Sequence, residues 1–191
     1  MDLDGFRCMR QGRTVEQLKI SDLERLQTVN IVDCGKHRAL LMLHGFSSTP
    51  AVFRYFVPEL KHYNRIYAPL LPGHGESIEA FARVKANDWL RAVEQFAEEL
   101  SSEYQQVDVM GLSLGGLLAC HLAKSFSFHH LYLLAPALDL RVNVNQSLAT
   151  AKALRYLKFQ SLRSAAGNIQ ATDTCEIAYK KTPLSVLIEI L

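Results

Sequence analysis

The stretch Val107-Asp108-Val109-Met110-Gly111-Leu112-Ser113-Leu114-Gly115-Gly116-Leu117-Leu118 decides the fold. Val107 to Met110 is a short apolar run that reads as a strand, and Leu117, Leu118, His121 and Leu122 carry a helical spacing. Between them one glycine stands two residues before Ser113 and another two residues after it. A strand that turns abruptly into a helix forces the residue at the corner into a strained conformation, and side chains at the flanking positions would collide with neighbouring backbone. The hydroxyl is then held proud of the sheet, beside the free N–H groups and positive potential of a helix N-terminus.

Working outward, Ala39-Leu40-Leu41-Met42-Leu43 is an unbroken apolar run ending in His44-Gly45, and Arg65 to Leu71 reads as a second strand, closed by Pro72-Gly73-His74-Gly75. His130 to Ala135 is another strand with an unbroken apolar run. Absence of alternation implies burial on both faces, as in the central strands of a parallel sheet. Thr28 to Val32 reads as a shorter strand. Val52, Phe53, Phe56, Val57 and Leu60 suggest a helix that Pro58 interrupts. Asn87 is a plausible N-cap for a helix whose apolar face is Trp89, Val93, Phe96, Ala97 and Leu100. Val15, Leu18, Leu23 and Leu26 predict a helix over Val15 to Gln27. Alternating strands and helices specify an α/β class with a mostly parallel sheet flanked by helices. The divisions are a helical extension over 1–27, a core over 28–140 and a helical segment over 141–191.

The chain has 191 residues, 49% apolar and 21% charged, with a net charge of +2, which fits one domain or one domain with a small appendage. A charge of +2 spread along the chain makes no electrostatic case for nucleic acid or for an anionic membrane. No apolar run reaches the roughly 18 residues that cross a bilayer. The acidic start Met1-Asp2-Leu3-Asp4 lacks the apolar core of a secretory signal. Cys8, Cys34, Cys120 and Cys175 lie far apart without metal spacing, so reduced thiols in a cytoplasm are expected. No cofactor or metal is expected, because no pair of histidines has a metal-ligand spacing.

Gly111-Leu112-Ser113-Leu114-Gly115 matches the nucleophile-elbow pattern, and the Leu114 N–H at the helix start can hold an oxyanion formed when Ser113 attacks a carbonyl. Together with Leu41-Met42-Leu43-His44-Gly45-Phe46, Ala68-Pro69-Leu70-Leu71-Pro72-Gly73-His74-Gly75, Asp88-Trp89 and Leu133-Leu134-Ala135-Pro136-Ala137, it resembles the α/β-hydrolases of the carboxylesterase and monoacylglycerol-lipase-like branch. The resemblance runs from about Thr28 to the C-terminus. It implies an α/β-hydrolase fold, an acyl-enzyme on Ser113, a small-molecule or lipid ester as substrate, and the Phe46 backbone N–H as second oxyanion donor beside Leu114. The Phe46 side chain would line the pocket, and His44 and His74 would brace loops. Residues 141–191 would form a cap. The four core strands should lie in the spatial order second, first, third, fourth, with Thr28 to Val32 a candidate for a further strand.

A serine needs a base, and in this family the order is Ser, then Asp or Glu, then His. All seven histidines, His37, His44, His62, His74, His121, His129 and His130, fall at or before residue 130. Asp139 is the one acid near an active-site strand end, where some hydrolases of this superfamily carry theirs, but the favoured reading is that it caps or solvates a loop. The sequence therefore reads as truncated before the last two strands. The chain alone should be inactive and should expose the strand near Leu131 to Leu134, which invites self-association or a complementing C-terminal chain. Three functions stay open: a serine hydrolase of carboxylic esters, an inactive relic kept as a binding module, and a thioesterase or acyltransferase. Arg141, Lys152, Arg155, Lys158 and Arg163 occur with no acid between the first and last. They read as the solvated face of a lid helix or as a basic surface for anionic lipid aggregates, with Leu148, Ala151, Leu154 and Leu157 as the lid's apolar face.

Overall fold

The computed structural model describes residues 5–9, 15–18, 22, 24, 26–138, 143–164 and 175–191. In chain order these form strands β1 (Phe6–Met9), β2 (Val15–Glu16), β3 (Val29–Val32), β4 (Arg38–Leu43) and β5 (Arg65–Ala68), then helices α1 (Ile78–Arg83) and α2 (Ala86–Glu103). There follow β6 (Gln106–Leu112), α3 (Leu114–Leu122), β7 (His130–Leu134), α4 (Val144–Tyr156), β8 (Ser161–Arg163), β9 (Glu176–Tyr179), β10 (Lys181–Pro183) and α5 (Leu184–Ile190).

Five strands make the main sheet in the order β3-β5-β4-β6-β7. β5, β4, β6 and β7 are parallel, in the spatial order expected, and β3 adds antiparallel at the β5 edge. The apolar run of β4 divides between two faces. Ala39, Leu41 and Leu43 pack with Trp89, Val93, Ala97 and Leu100 of α2 and with Leu118 and Leu122 of α3. Leu40 and Met42 point the other way, against Phe53, Ile66 and Met110. Burial on both faces is why this strand shows no alternation. β7 pairs with β6 and, among the described residues, with no strand on its other side. Leu131, Tyr132 and Leu134 there are each 37% exposed.

The helix suggested by Val52 to Leu60 is replaced by two 3-10 turns over Pro50–Phe53 and Val57–Glu59, with Pro58 in the first positions of the second, where a missing N–H costs nothing. The start of α2 differs from expectation. Its N-cap is Lys85 rather than Asn87, and the Asp88 carboxylate accepts the Lys85 N–H at 2.8 Å. The expected helix over Val15 to Gln27 is also corrected, because Val15–Glu16 is a strand that pairs with β1. β1 pairs in turn with β9 through Phe6↔Tyr179 and Cys8↔Ile177. Leu18 and Leu26 do reach the core, but not on a helix running from Val15. The segment beyond residue 141 is not purely helical, since β8, β9 and β10 lie between α4 and α5. Two of the cysteines expected to be reduced, Cys8 and Cys175, are joined as a disulfide with Cα atoms 5.3 Å apart. Cys34 and Cys120 are free.

Candidate active site

The C-terminal ends of the parallel strands gather the residues singled out by the sequence. Ser113 sits between β6 and α3 as the N-cap of α3, with φ 53° and ψ −111°. A serine at such a φ is strained, and the surroundings hold it there. Its N–H donates to the Leu134 carbonyl at 3.0 Å, and its carbonyl accepts from the Gly116 and Leu117 N–H groups at 2.9 and 3.2 Å. Ser47 and Ala135, at φ 61° and 43°, are strained at the same edge of the sheet.

The glycines around Ser113 are there for closeness rather than for φ. A Cβ on Gly111 would overlap the Gly115 carbonyl oxygen and stand 2.6 Å from the Gly116 nitrogen. A Cβ on Gly116 would stand 2.8 Å from Pro136 Cβ. A Cβ on Gly45 would be 3.5 Å from Ser113 Cβ, which places the loop after β4 directly beside the serine. Phe46 follows in that loop, and Leu114 opens α3. Among the described residues neither of their amides donates to another backbone group outside the regular elements. First-turn helix amides have no partner within the helix, so the Leu114 N–H is available to an anion.

The loops are braced by buried histidines. His44 Nδ1–H donates to the Gly45 carbonyl at 2.9 Å while Nε2 accepts the Leu71 N–H at 3.1 Å. His74 Nε2 accepts the Ser47 N–H at 3.2 Å, and its Nδ1–H donates to the Pro72 carbonyl at 3.2 Å. Both rings therefore use one donor and one acceptor, which only the neutral form provides. Two further braces on the 72–76 loop were not foreseen. Trp89 Nε1–H donates to the Pro72 carbonyl at 3.0 Å. The Tyr179 hydroxyl lies 2.7 Å from the Gly73 carbonyl oxygen and 3.0 Å from that of Glu76. No local signal marks Tyr179, because β9 meets this loop only through tertiary structure. The Phe46 ring forms an aromatic wall, 5.6 Å from Phe81 and 6.4 Å from Trp89 between centroids.

Burial pushes the His44 pKa down to about 4, against a smaller opposing effect of its bond to Gly45. Burial, then the neighbouring His44, pushes His74 well below the usual histidine range. The unfolded chain therefore binds more protons than the folded one between about pH 6.5 and 4, and stability falls as pH falls through that window. At pH 5 the contribution of His44 alone is about 2 kcal/mol. Thermal melts at pH 7.5 and 5 should show a clear drop in Tm, and a flat profile would contradict this placement of the histidines.

The other histidines lie elsewhere. His121 Nε2 is 2.8 Å from Glu94 Oε1 across α3 and α2. His37 and His62 precede β4 and β5, and His129 and His130 stand at the start of β7, all at the sheet end opposite Ser113. His129 and His130 instead approach Asp108, with each Nδ1 3.3 Å from Oδ1. The acid candidate Asp139 lies outside the described residues. A cavity of about 610 Å³ between α4 and α5 is lined by Ala151, Leu154, Leu162, Leu187 and Leu191 among others. The expected apolar face of the lid holds for Ala151, whereas Leu157 is 64% exposed.

Comparison with known proteins agrees with this geometry. Over 160 residues the chain is 29% identical to a thermostable monoacylglycerol lipase of Bacillus sp. (strain H-257), a match covering 79% of this chain and 59% of that protein. It is 34% identical over 90 residues to a carboxylesterase of Bacillus subtilis (strain 168), covering 46% of this chain and 37% of the other. The chain thus spans about 59% of the length of the first relative and less of the second. Among solved structures it is similar to one from work on the metagenome-derived lipolytic enzymes LipS and LipT, with TM-score 0.73, 23% identity, and 86% of this chain and 66% of that one covered. The monoacylglycerol lipase of Paleococcus ferrophilus superposes with TM-score 0.61 at 16% identity, covering 86% and 68%. The profile of the family described as "Alpha/beta hydrolase family" matches residues 40–179, from the middle of β4 to the end of β9. The chain, with its parallel sheet and strained serine at the strand-to-helix corner, belongs to the alpha/beta hydrolase family and is related to its lipases and esterases.

Proposed function

We propose that this protein is a serine hydrolase of carboxylic esters, acting on monoacylglycerols or similar lipid esters. The observation that carries the reading is the strained Ser113 at the N-terminus of α3, pressed against the Gly45–Phe46 loop. Ser113 Oγ attacks the ester carbonyl, and the carbonyl electron pair moves onto oxygen. The Phe46 and Leu114 N–H groups hold that oxyanion, each worth about 2.7–4 kcal/mol in the transition state. Collapse expels the alcohol, which takes up the proton lost by Ser113, and water then hydrolyses the acyl-enzyme. No cofactor is needed for these steps.

The proton must travel through a base. The histidines of this chain either have both ring nitrogens bonded to backbone, face Glu94 or Asp108, or stand at the far end of the sheet. We infer that none of these histidines is the base for Ser113, and Asp139 stays the acid candidate. Added imidazole should then supply that base. Release of nitrophenol from a short nitrophenyl ester should rise with imidazole concentration in the wild-type chain and not in Ser113→Ala.

The same placement of the histidines favours a second reading, a hydrolase-like binding module. It predicts that imidazole raises hydrolysis equally in both proteins, as it does free in solution.

A further inference from the structure

The end of α4 displays its apolar side chains rather than burying them. Tyr156 is 88% exposed, Leu157 64%, Phe159 55%, and Leu162 on the adjoining β8 39%. Lys152, Arg155, Lys158 and Arg163 are exposed among them, and no Asp or Glu occurs between Arg141 and Arg163. A cleft of about 460 Å³ opens beside them, lined by Ala82, Arg155, Lys158, Phe159, Gln160 and Ser185. Glu79 lines the neighbouring cleft with Lys181 and Gln160.

The chain holds this display in an ordered turn. Phe159 N–H donates to the Leu154 carbonyl at 3.1 Å and Lys158 N–H to Arg155 at 3.0 Å, the paired bonds that close a helix with a left-handed residue between them. That residue is Lys158, at φ 67°, where glycine is the unstrained choice. Across the β8–β10 ribbon, Lys181 stands directly opposite Arg163, a like-charge pair that disfavours the pairing. At two positions a local preference is overridden at a cation, and Lys158 and Lys181 line neighbouring clefts that share Ala82 and Gln160.

We propose that the end of α4 and the β8–β10 ribbon dock this protein on an anionic phospholipid surface. Tyr156, Leu157 and Phe159 enter the boundary between headgroups and acyl chains, and Lys152, Arg155, Lys158, Arg163 and Lys181 meet the headgroup phosphates. Exposed aromatic and aliphatic side chains ringed by cations, without carboxylates in the run, match such a surface in both polarity and charge. The proposal does not depend on catalysis by Ser113.

Flotation of the full chain with vesicles tests it, because aggregates do not float. Vesicles of phosphatidylcholine with phosphatidylglycerol should carry the protein at low salt, at least ~10-fold more tightly than phosphatidylcholine alone, and release it as salt rises. Lys158→Gly should weaken binding about fivefold while keeping or raising Tm, since it removes one cation and relieves the strained φ. Tyr156→Ser with Phe159→Ser should abolish binding at unchanged Tm, and Ser113→Ala should bind as wild type. Equal binding to neutral vesicles, or binding indifferent to Lys158→Gly and to the double serine variant, would overturn it. So would failure to float with anionic vesicles, whether or not the patch captures a soluble protein.

Discussion

Gly115→Ala is expected to cost about 3 kcal/mol or more and to leave the protein poorly folded. The added methyl would overlap the Leu43 carbonyl oxygen and stand 2.6 Å from the Leu43 carbonyl carbon and 2.8 Å from the His44 oxygen. All three atoms are backbone at the end of β4, the strand between β5 and β6 in the sheet. They cannot yield without moving the loop that carries Phe46 or lifting α3 from the sheet. Against a total stability of about 5–15 kcal/mol, such a loss is large. For a chain of this size it corresponds to a fall in Tm on the order of 10 °C. Gly5→Ala is the control, since nothing lies within 4 Å of a Cβ there. Gly45→Ala should also fold, because its nearest contacts are 3.5 Å away, although one of them is Ser113 Cβ. Thermal melts of the three variants check the ranking, and a Gly115→Ala protein as stable as Gly5→Ala would refute the close approach of α3 to β4.

Asp108→Ala should be comparably damaging at the opposite end of β6. The Asp108 side chain is fully buried, and its Oδ2 accepts from Arg38 Nη2 at 2.6 Å, from Arg38 Nε at 3.0 Å and from the Tyr63 hydroxyl at 2.6 Å. Burial pushes the carboxyl pKa up, but the hydrogen bonds from Tyr63 and Arg38 and the charge of Arg38 outweigh it and hold the group below the usual carboxylate range. Removing the carboxylate strands a guanidinium and a phenol in a largely buried site, at a cost of about 3–5 kcal/mol. Asp108→Asn keeps the shape and one acceptor and should cost less. Urea denaturation should show a lower midpoint in the order Asn, then Ala, with wild type highest. A midpoint for Asp108→Ala equal to that of wild type would show that the cluster contributes nothing. Because the folded pKa is depressed, this contribution is present above the unfolded carboxylate pKa near 4 and fades as pH falls below it.

These two residues also mark what the sequence reveals and what it hides. β4 is legible because a strand buried on both faces must be apolar without alternation, and Leu40 and Leu41 face different clusters. β7 carries the same kind of apolar run, but Leu131, Tyr132 and Leu134 are each 37% exposed, so the burial on both faces that the run implies is not met there. Ser113 and its glycines are legible because close approach of backbones leaves room for no side chain. The β1–β9 pairing is not, since Phe6 and Tyr179 meet only when distant segments fold together, and a local window reads Val15 and Leu18 as helical. The cap of α2 is misread for a related reason: Asn87 is a good cap by type, but the Asp88 carboxylate reaches back to the Lys85 N–H and starts the helix earlier. The partners of Asp108 come from three strands or their approaches, and Val107-Asp108-Val109 hints only that a charge lies inside a buried strand. The disulfide between Cys8 and Cys175 belongs with the same unforeseen sheet.

The proposal that Ser113 is the nucleophile, with the Phe46 and Leu114 amides as oxyanion donors and none of the chain's histidines as its base, is tested most directly by the site and rate of fluorophosphonate labelling. Intact mass and peptide mapping should find a single adduct on Ser113, formed slowly, accelerated by imidazole and lost in Ser113→Ala. Fast stoichiometric labelling without imidazole would reveal a base within the chain, and an adduct on any other residue would contradict the assignment of Ser113.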